Sequence, residues 1–389
     1  MNYKVLLIAG VFLSSVCAWG QTAKQLVAKA KKTPQVQERL VLLNQAILLD
    51  PKSADAYHNR ADVYLGQGKY EQAVADYTRA VELRPKDPFR YYARAMAYLD
   101  KDKPLPAIAD LTKAISLKPT YRNFYLTRAR AYLKAEKYDA ARLDFSKVRR
   151  MGDVSSSVLT EMLPAYVLSY HYNEAEEIAR RLLAQGNDSA PLHYWLGRCL
   201  LGNGAPDEAV SHFSKAIHRD ETYAAAYRYR ANAFKEMGDL EACIDDYTQL
   251  LALTPDALFY NRRGLIYEEL GDYEQAAADY TQAIETNSKW SIPYNNRGYV
   301  NMRLKNWARA KQDLETAVSL DGSVPTPYVN LAGVYWSWKK DRKRTYQNLE
   351  KAVRRGFKDF ASLYDETQKG WMFKGVNHTS EFRALMYRE

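Results

Sequence analysis

Shifted against itself by 34 residues, this chain lays like on like: Ala61 falls on Ala95 and Ala129, Tyr64 on Tyr98 and Tyr132, Ala73 on Ala107 and Ala141. A fixed period of this length marks a repeat architecture, in which each unit is too small to bury its own apolar face and must stack on its neighbours. Units begin at Ala54, Pro88, Arg122, Ser156, Ala190, Ala224, Ala257, Ser291 and Pro325, with one of 33 residues (224–256) and an insertion near Arg344. Length alone, 389 residues, would suggest two or three globular domains; the period predicts one quasi-linear array instead.

Each unit repeats the same internal pattern. Position 4 carries Tyr57, Tyr91, Tyr125, Leu159, His193, Tyr227, Tyr260, Tyr294 and Tyr328, and position 8 is small in all but one unit (Ala61, Ala95, Ala129, Leu163, Gly197, Ala231, Gly264, Gly298, Ala332). Position 11 is usually aromatic, as at Tyr64, Tyr98, Tyr132, Tyr166, Phe234, Tyr267 and Tyr335. On a helix these three positions fall within about 60° of one another, a large residue beside a small one, which predicts a face for a second helix and a core role for the tyrosines. A break follows near position 15 (Gly68, Gly204, Gly238, Gly271), then a second periodic stretch anchored by small residues at position 20, such as Ala73, Ala107 and Cys243. Proline at position 32 (Pro85, Pro119, Pro255) stops that stretch. The unit reads helix, tight turn, helix, linker. Unit 156–189 departs most, with Leu163 at the small position and Pro164 inside the first helix, and predicts a kink or irregular packing.

This pattern resembles the tetratricopeptide repeat, and the match extends over residues 54–352, with residues 54–87 meeting the pattern almost completely. The resemblance implies an all-α fold, an α-solenoid: a right-handed superhelix of stacked antiparallel helix hairpins. Residues 21–53 end in QAILLDP in the expected phase and read as an N-terminal capping hairpin, residues 54–356 as nine repeats, and residues 357–389, where the period is lost, as a C-terminal cap. Caps are required because an open solenoid end exposes core.

Residues 1–20 combine one lysine, a 12-residue apolar run from Val5 to Val16 and the small-flanked Ala18-Trp19-Gly20, the three-part layout of a secretory signal peptide. The run is too short for a span of roughly 20 residues. Cleavage after Gly20 is expected; lipidation at Cys17 is the alternative, against which Ser14-Ser15-Val16 match a lipidation box poorly. The expected location is the periplasm or the outer membrane. A mean hydropathy of -0.50 excludes a polytopic membrane protein, and a net charge of +10 spread among 46 acids is weaker than a nucleic-acid binder's concentrated basic face. Nine Lys or Arg against three acids in 339–359 permit peripheral contact with an anionic membrane or an acidic partner.

Catalytic patterns are missing: there is no GxxxxGK[ST], GxSxG, HExxH or CxxC, and the six histidines do not recur at ligand spacing, His212 and His218 lying on different helix faces. Adjacent acids such as Asp245-Asp246 point about 100° apart on a helix. Cys199 and Cys243 occupy packing positions. The reading is a non-enzymatic protein without cofactor, metal site or small-molecule substrate. Positions 2, 5, 9 and 12 lie away from the packing face, and the family resemblance makes them the lining of a concave partner groove. They place Phe89, Tyr92 and Met96 in the second unit, Arg130 in the third, Tyr194 and Arg198 in the fifth, Arg228, Asn232 and Lys235 in the sixth, Asn261 in the seventh, Asn295 and Tyr299 in the eighth and Trp336 in the last. Aromatic and methionine anchors beside Arg and Asn fit a protein or peptide. Some relatives grip a C-terminal carboxylate with Lys and Asn at positions 5 and 9, Asn at 6 of the next unit, then Lys at 2 and Arg at 6 of the third; Arg228 and Asn232 fit that clamp, whereas Arg262, Ile292 and Asn296 make it partial. The expected function is a scaffold or adaptor for proteins of the envelope or secretion machinery; the alternatives are a carbohydrate- or peptidoglycan-associated binder and, if the leader is unused, a cytoplasmic adaptor.

Overall fold

The computed structural model describes residues 22–363 and 372–386; the leader, with Cys17 and the cleavage after Gly20, lies outside the described residues. All regular structure among them is helical, arranged as hairpins in two compact units, 1–186 and 187–389. In the first unit the hairpins are Ala23–Lys32 with Val36–Leu49, Ala54–Gly66 with Tyr70–Leu83, Pro88–Asp100 with Pro104–Leu117, Arg122–Lys134 with Tyr138–Arg150, and Ser156–Leu168 with Tyr172–Ala184. In the second they are Ala190–Gly202 with Pro206–Arg219, Ala224–Met237 with Leu240–Leu253, Ala257–Leu270 with Tyr273–Thr286, Ser291–Arg303 with Trp307–Leu320, and Thr326–Val334 with Arg342–Val353. Within each unit a second helix packs on its own first helix and on the first helix of the hairpin that follows, which is an α-solenoid arrangement.

Local chemistry sets the helix ends. Asp239 and Asp272 accept hydrogen bonds from the backbone N–H groups of Ala242 and Gln275, both at 3.1 Å, satisfying donors that a helix start leaves open. Position 15 adopts a left-handed backbone in each of eight successive hairpins: Gly68, Gly204, Gly238 and Gly271 in four, Asp102 (φ 53°), Glu136 (56°), Tyr170 (61°) and Lys305 (61°) in the others. That conformation costs an ordinary residue roughly 1–2 kcal/mol and glycine almost nothing. Glu136→Gly and Lys305→Gly, at exposed sites, should therefore raise stability by about 0.5–1 kcal/mol after the unfolded-state entropy of glycine is subtracted, and Gly238→Ala should lower it by about 1 kcal/mol. Urea midpoints of the three variants check this, and a destabilised Lys305→Gly would contradict it.

The deepest core wedge is position 24, and the tyrosines of positions 4 and 11 join the core in part, with Tyr125, Tyr166, Tyr227, Tyr328 and Tyr335 buried. Tyr77, Phe145, Phe213 and Tyr280 at position 24 are at most 2% exposed, whereas Tyr57, Tyr91, Tyr260 and Tyr294 at position 4 are half-buried. Each position-24 side chain presses on the small residue at position 8. A Cβ added to Gly264 would lie 2.8 Å from the Tyr280 ring, and one added to Gly298 would lie 2.7 Å from Leu314. Gly264→Ala, normally a stabilising change in a helix, should instead cost about 1–3 kcal/mol by displacing the ring, as measured by thermal unfolding; a raised midpoint would sink the wedge account. The buried Tyr77 and Tyr280 hydroxyls donate to Asp62 (2.5 Å) and Glu268 (2.8 Å), and burial pushes both phenols above their usual range.

The departure at 156–189 has a compensating logic. Leu163 fills position 8 and Ala179 takes position 24, both fully buried, so large and small exchange sides of the same contact. One helix runs from Ser156 to Leu168 with Pro164 inside it. At the C-terminal end Met372, Phe373, Val376 and Phe382 are fully buried in one cluster with Val329, Leu331 and Leu349 of the last hairpin. Cys199 and Cys243 are both buried, and burial pushes the Cys243 thiol up to about 12.

Candidate partner-binding surface

A polar ladder fixes how the first helices present their outer positions. Arginine at position 7 forks onto aspartate at position 23 of the same hairpin: Arg60–Asp76, Arg94–Asp110 and Arg128–Asp144 in the first unit, Arg230–Asp246, Arg263–Asp279 and Arg297–Asp313 in the second, each with a contact of 2.6–2.7 Å. The remaining guanidinium nitrogen donates to the preceding hairpin, at Asn44, Thr78 and Thr112 in the first unit and Ser214, Thr248 and Thr281 in the second. Tyrosines of positions 4 and 11 flank the guanidinium, as Tyr57 and Tyr64 do Arg60 at 5.6 and 5.9 Å. Planar, bidentate pairing and ring stacking are what arginine supplies and lysine does not. This ladder, spaced 16 residues apart in the sequence, is the periodic signal that sequence reasoning passed over.

Between the two runs of three, two adjacent hairpins replace the ladder. In 156–184 its positions are Met162 and Ile178, both buried. In 190–219 they are Leu196 and His212, and His212 Nδ1 lies 2.9 Å from Nδ1 of buried His193, whose Nε2 is 2.6 Å from Asp188. Arg219 also binds Asp188 and, ahead of His193, holds that carboxyl below its usual range. The spacing that matters is thus His193 to His212, not His212 to His218. Among the described residues, no group of three or more His, Cys, Asp or Glu is placed to hold a metal ion, and no helix is long and apolar enough to cross a membrane.

In the first unit the outer positions gather aromatic side chains. The Phe89 ring centroid lies 5.1 Å from Tyr121 and 5.6 Å from Phe124, Tyr92 lies 5.3 Å from Phe124, and the Lys118 ammonium sits 4.9 Å over Phe89. Phe89 is 41% exposed, and Tyr92 and Met96 are half-buried beside it. Arg130 is exposed but engaged, forked onto Glu161 at 2.7 and 3.0 Å.

In the second unit Arg198 and Arg228 both lie over the Tyr229 ring, their guanidinium carbons 4.4 and 5.0 Å from its centre. Beside this stack a pocket of about 150 Å³ is lined by Arg228, Tyr229, Asn232, Tyr247, Phe259 and Arg262, with Leu258, 41% exposed, at its edge. Two guanidiniums with aromatic walls can seat a carboxylate and an apolar neighbour together. Of these, Arg228, Asn232 and Arg198 are legible from the outer positions, whereas Tyr229, Phe259 and Arg262 lie one position off that pattern.

Six outer-position residues are engaged otherwise than the helical pattern predicts. Tyr194 is only 7% exposed, wedged against Trp195, Tyr223 and Tyr229, and burial pushes its phenol up; it is core, because Arg198 and Tyr229 cover it. Asn261, 4% exposed, accepts from Asn296 (3.1 Å), Asn296 from Asn295 (3.2 Å) and Asn295 from Asn330 (3.0 Å), an amide relay linking three first helices. Trp336 donates its indole N–H to the Lys374 carbonyl at 3.1 Å, and Tyr299 packs against the C-terminal cluster. Lys235 is paired with Glu269 at 3.1 Å. In the basic stretch 339–359, Arg342 pairs with Glu381 and Arg355 covers the Tyr328 ring.

Known proteins place this arrangement. Models described as tetratricopeptide repeat match residues 54–87 and 257–289, 90–121, and 169–224. Over 72 residues the chain is 31% identical to TPR repeat-containing protein PA0015 of Pseudomonas aeruginosa, covering 18% of this chain and 69% of that protein. Solved structures similar to it include a tetratricopeptide repeat protein from Parabacteroides merdae (18% identity, 64% of this chain and 99% of that one, TM-score 0.42) and YrrB, described as having an unusual peptide-binding site (21%, 47% and 94%, TM-score 0.40). Repeats of this kind generally serve protein–protein interaction rather than catalysis, and the chain belongs to the tetratricopeptide-repeat family.

Proposed function

We propose that this chain is an exported, non-enzymatic scaffold of the cell envelope that binds segments of envelope or secretion proteins along the outer positions of its first helices. The observation that carries the reading is the pocket between Arg228 and Arg262, with its Arg198–Tyr229–Arg228 stack. It offers a desolvated aromatic floor and uncompensated positive charge, the composition of an interaction hot spot. Phe89 and Tyr92 supply a second, more apolar anchor within the first unit. Segments that carry an acidic group a few residues from an aromatic or aliphatic side chain match the Arg228 pocket.

Export rests on the leader composition of residues 1–20. Intact mass of the protein purified from the envelope fraction of its own cells tests it: a chain beginning at Gln21 is expected, a lipid-bearing Cys17 would assign a membrane anchor, and an intact Met1 in the cytosol would overturn export.

A further inference from the structure

The second unit carries a separate cavity that the partner-binding reading does not use. It has a volume of about 600 Å³ and lies between the second helices Tyr273–Thr286 and Trp307–Leu320, floored by the first helix Ser291–Arg303. The floor residues Tyr294, Arg297 and Asn301 occupy positions 4, 7 and 11, about 140° around the helix from the mean of the outer positions. The volume is within the ordinary range of small-molecule sites, roughly 300–1,000 Å³.

Its chemistry is unlike that of a pocket for an apolar side chain, since of nine lining residues only Ala277 is wholly apolar. Arg297 and Asp313 satisfy each other through the ladder, with Asn301 adding a 3.4 Å contact to the same carboxylate. That leaves three polar groups with no hydrogen bond or ion pair among the described residues: the Arg309 guanidinium, the Gln312 side-chain amide and the Tyr294 hydroxyl. Of the equivalent hydroxyls, Tyr91 and Tyr328 donate to the carbonyls of Pro85 and Gly322, whereas Tyr125, Tyr227 and Tyr260 are as open as Tyr294, so the hydroxyl alone does not distinguish this hairpin. The neighbouring Lys311 is likewise occupied, with Glu315 at 2.9 Å, so Arg309 is the pocket's uncompensated charge.

The sequence sets this hairpin apart from its siblings. Position 19 in the other five ladder hairpins is Gln72, Pro106, Ala140, Ala242 or Gln275, and position 22 is Ala75, Ala109, Leu143, Asp245 or Ala278; only here do Arg309 and Gln312 stand at those places. The ladder builds the groove, and these two substitutions furnish it.

We propose that this cavity binds an acidic sugar, its carboxylate on Arg309 and its ring hydroxyls on the Gln312 amide and the Tyr294 hydroxyl. Arginine matches a carboxylate with two parallel donors, an amide both gives and accepts hydrogen bonds, and a phenol presents a ring edge and a hydroxyl, so a polyhydroxylated acid satisfies all three. A neutral sugar leaves Arg309 unmatched, and a plain carboxylic acid leaves the amide and phenol unmatched.

Calorimetric or NMR titration of the whole protein with glucuronate, glucose and glutamate tests the proposal. Saturable glucuronate binding is expected, with glucose and glutamate each at least about 10-fold weaker, and Arg309→Gln should weaken glucuronate about 10-fold. Arg309 is exposed, so the variant keeps its fold, and Arg79→Gln, at an exposed pair in the first unit, should leave glucuronate binding unchanged. The proposal is overturned by the absence of saturable glucuronate binding up to about 20 mM, by an Arg309→Gln variant that binds as well as the parent, or by glutamate binding as tightly as glucuronate, which would assign the cavity to acidic protein side chains.

Discussion

Asp246→Ala should lower the stability of the second unit by about 3 kcal/mol. Asp246 is 2% exposed and takes Arg230 at 2.6 and 3.0 Å. Without it the guanidinium stays between the Tyr227 and Phe234 rings with one hydroxyl, Ser214 at 2.9 Å, as its partner. A buried charge left without its counter-ion is what makes such truncations costly, whereas the intact pair contributes little net stability because both ions had to be desolvated. The double replacement Arg230→Leu with Asp246→Leu should therefore be less destabilising than Asp246→Ala alone. The chain contains a precedent, for hairpin 156–184 carries Met162 and Ile178 at the two positions, both buried. Because Arg230 also bonds to Ser214 of the preceding hairpin, Asp246→Ala should in addition broaden the urea transition, as expected when nearest-neighbour coupling in a repeat array weakens. A single variant within about 0.5 kcal/mol of the parent would show that the ladder is ornamental rather than structural.

The second large effect concerns binding. Arg228→Ala combined with Tyr229→Ala should weaken capture of the partner by about 100-fold, because the pair removes one wall of the pocket and the ring on which Arg198 stacks. Arg228 is exposed, whereas Tyr229 covers Tyr194 and stacks on Phe213, so the double variant should also lose some stability, and its affinity is read on the folded fraction. Lys235→Ala, which releases an exposed pair with Glu269, should cost less than about 1 kcal/mol of affinity. Affinity measured on the isolated partner, with circular dichroism confirming the fold, separates loss of contact from loss of structure.

Periodicity carried most of the fold. The first helices begin at Ala54, Pro88, Arg122, Ser156, Ala190, Ala224, Ala257 and Ser291, where the 34-residue period of small and large residues puts them. What periodicity does not reveal is which member of a face is deepest. Tyrosines at positions 4 and 11 share the angular sector of position 8, yet the position-24 side chain opposite lies deepest; some of the tyrosines, such as Tyr166 and Tyr328, are buried with it, and others, such as Tyr57 and Tyr64, stay half-buried around arginine. The site was less legible for the same reason. Helical angle puts Tyr194 and Asn261 outward, but a neighbouring large side chain in one case and an amide relay in the other take them inside. Tyr229 and Phe259 depend on how two successive first helices converge, which no single-helix pattern contains, whereas Arg262 stands in the sequence only as a departure from the carboxylate clamp.

Site-specific photo-crosslinking in living cells tests the central claim, that partners dock on the outer positions of the first helices. A crosslinking residue replaces Leu258 at the edge of the Arg228 pocket or, in a second strain, Leu143, which is 58% exposed on a second helix. The account predicts a discrete protein adduct from position 258 that disappears when Arg228 and Tyr229 are both changed to alanine, and none from position 143. Adducts from position 143 with none from position 258 would contradict it.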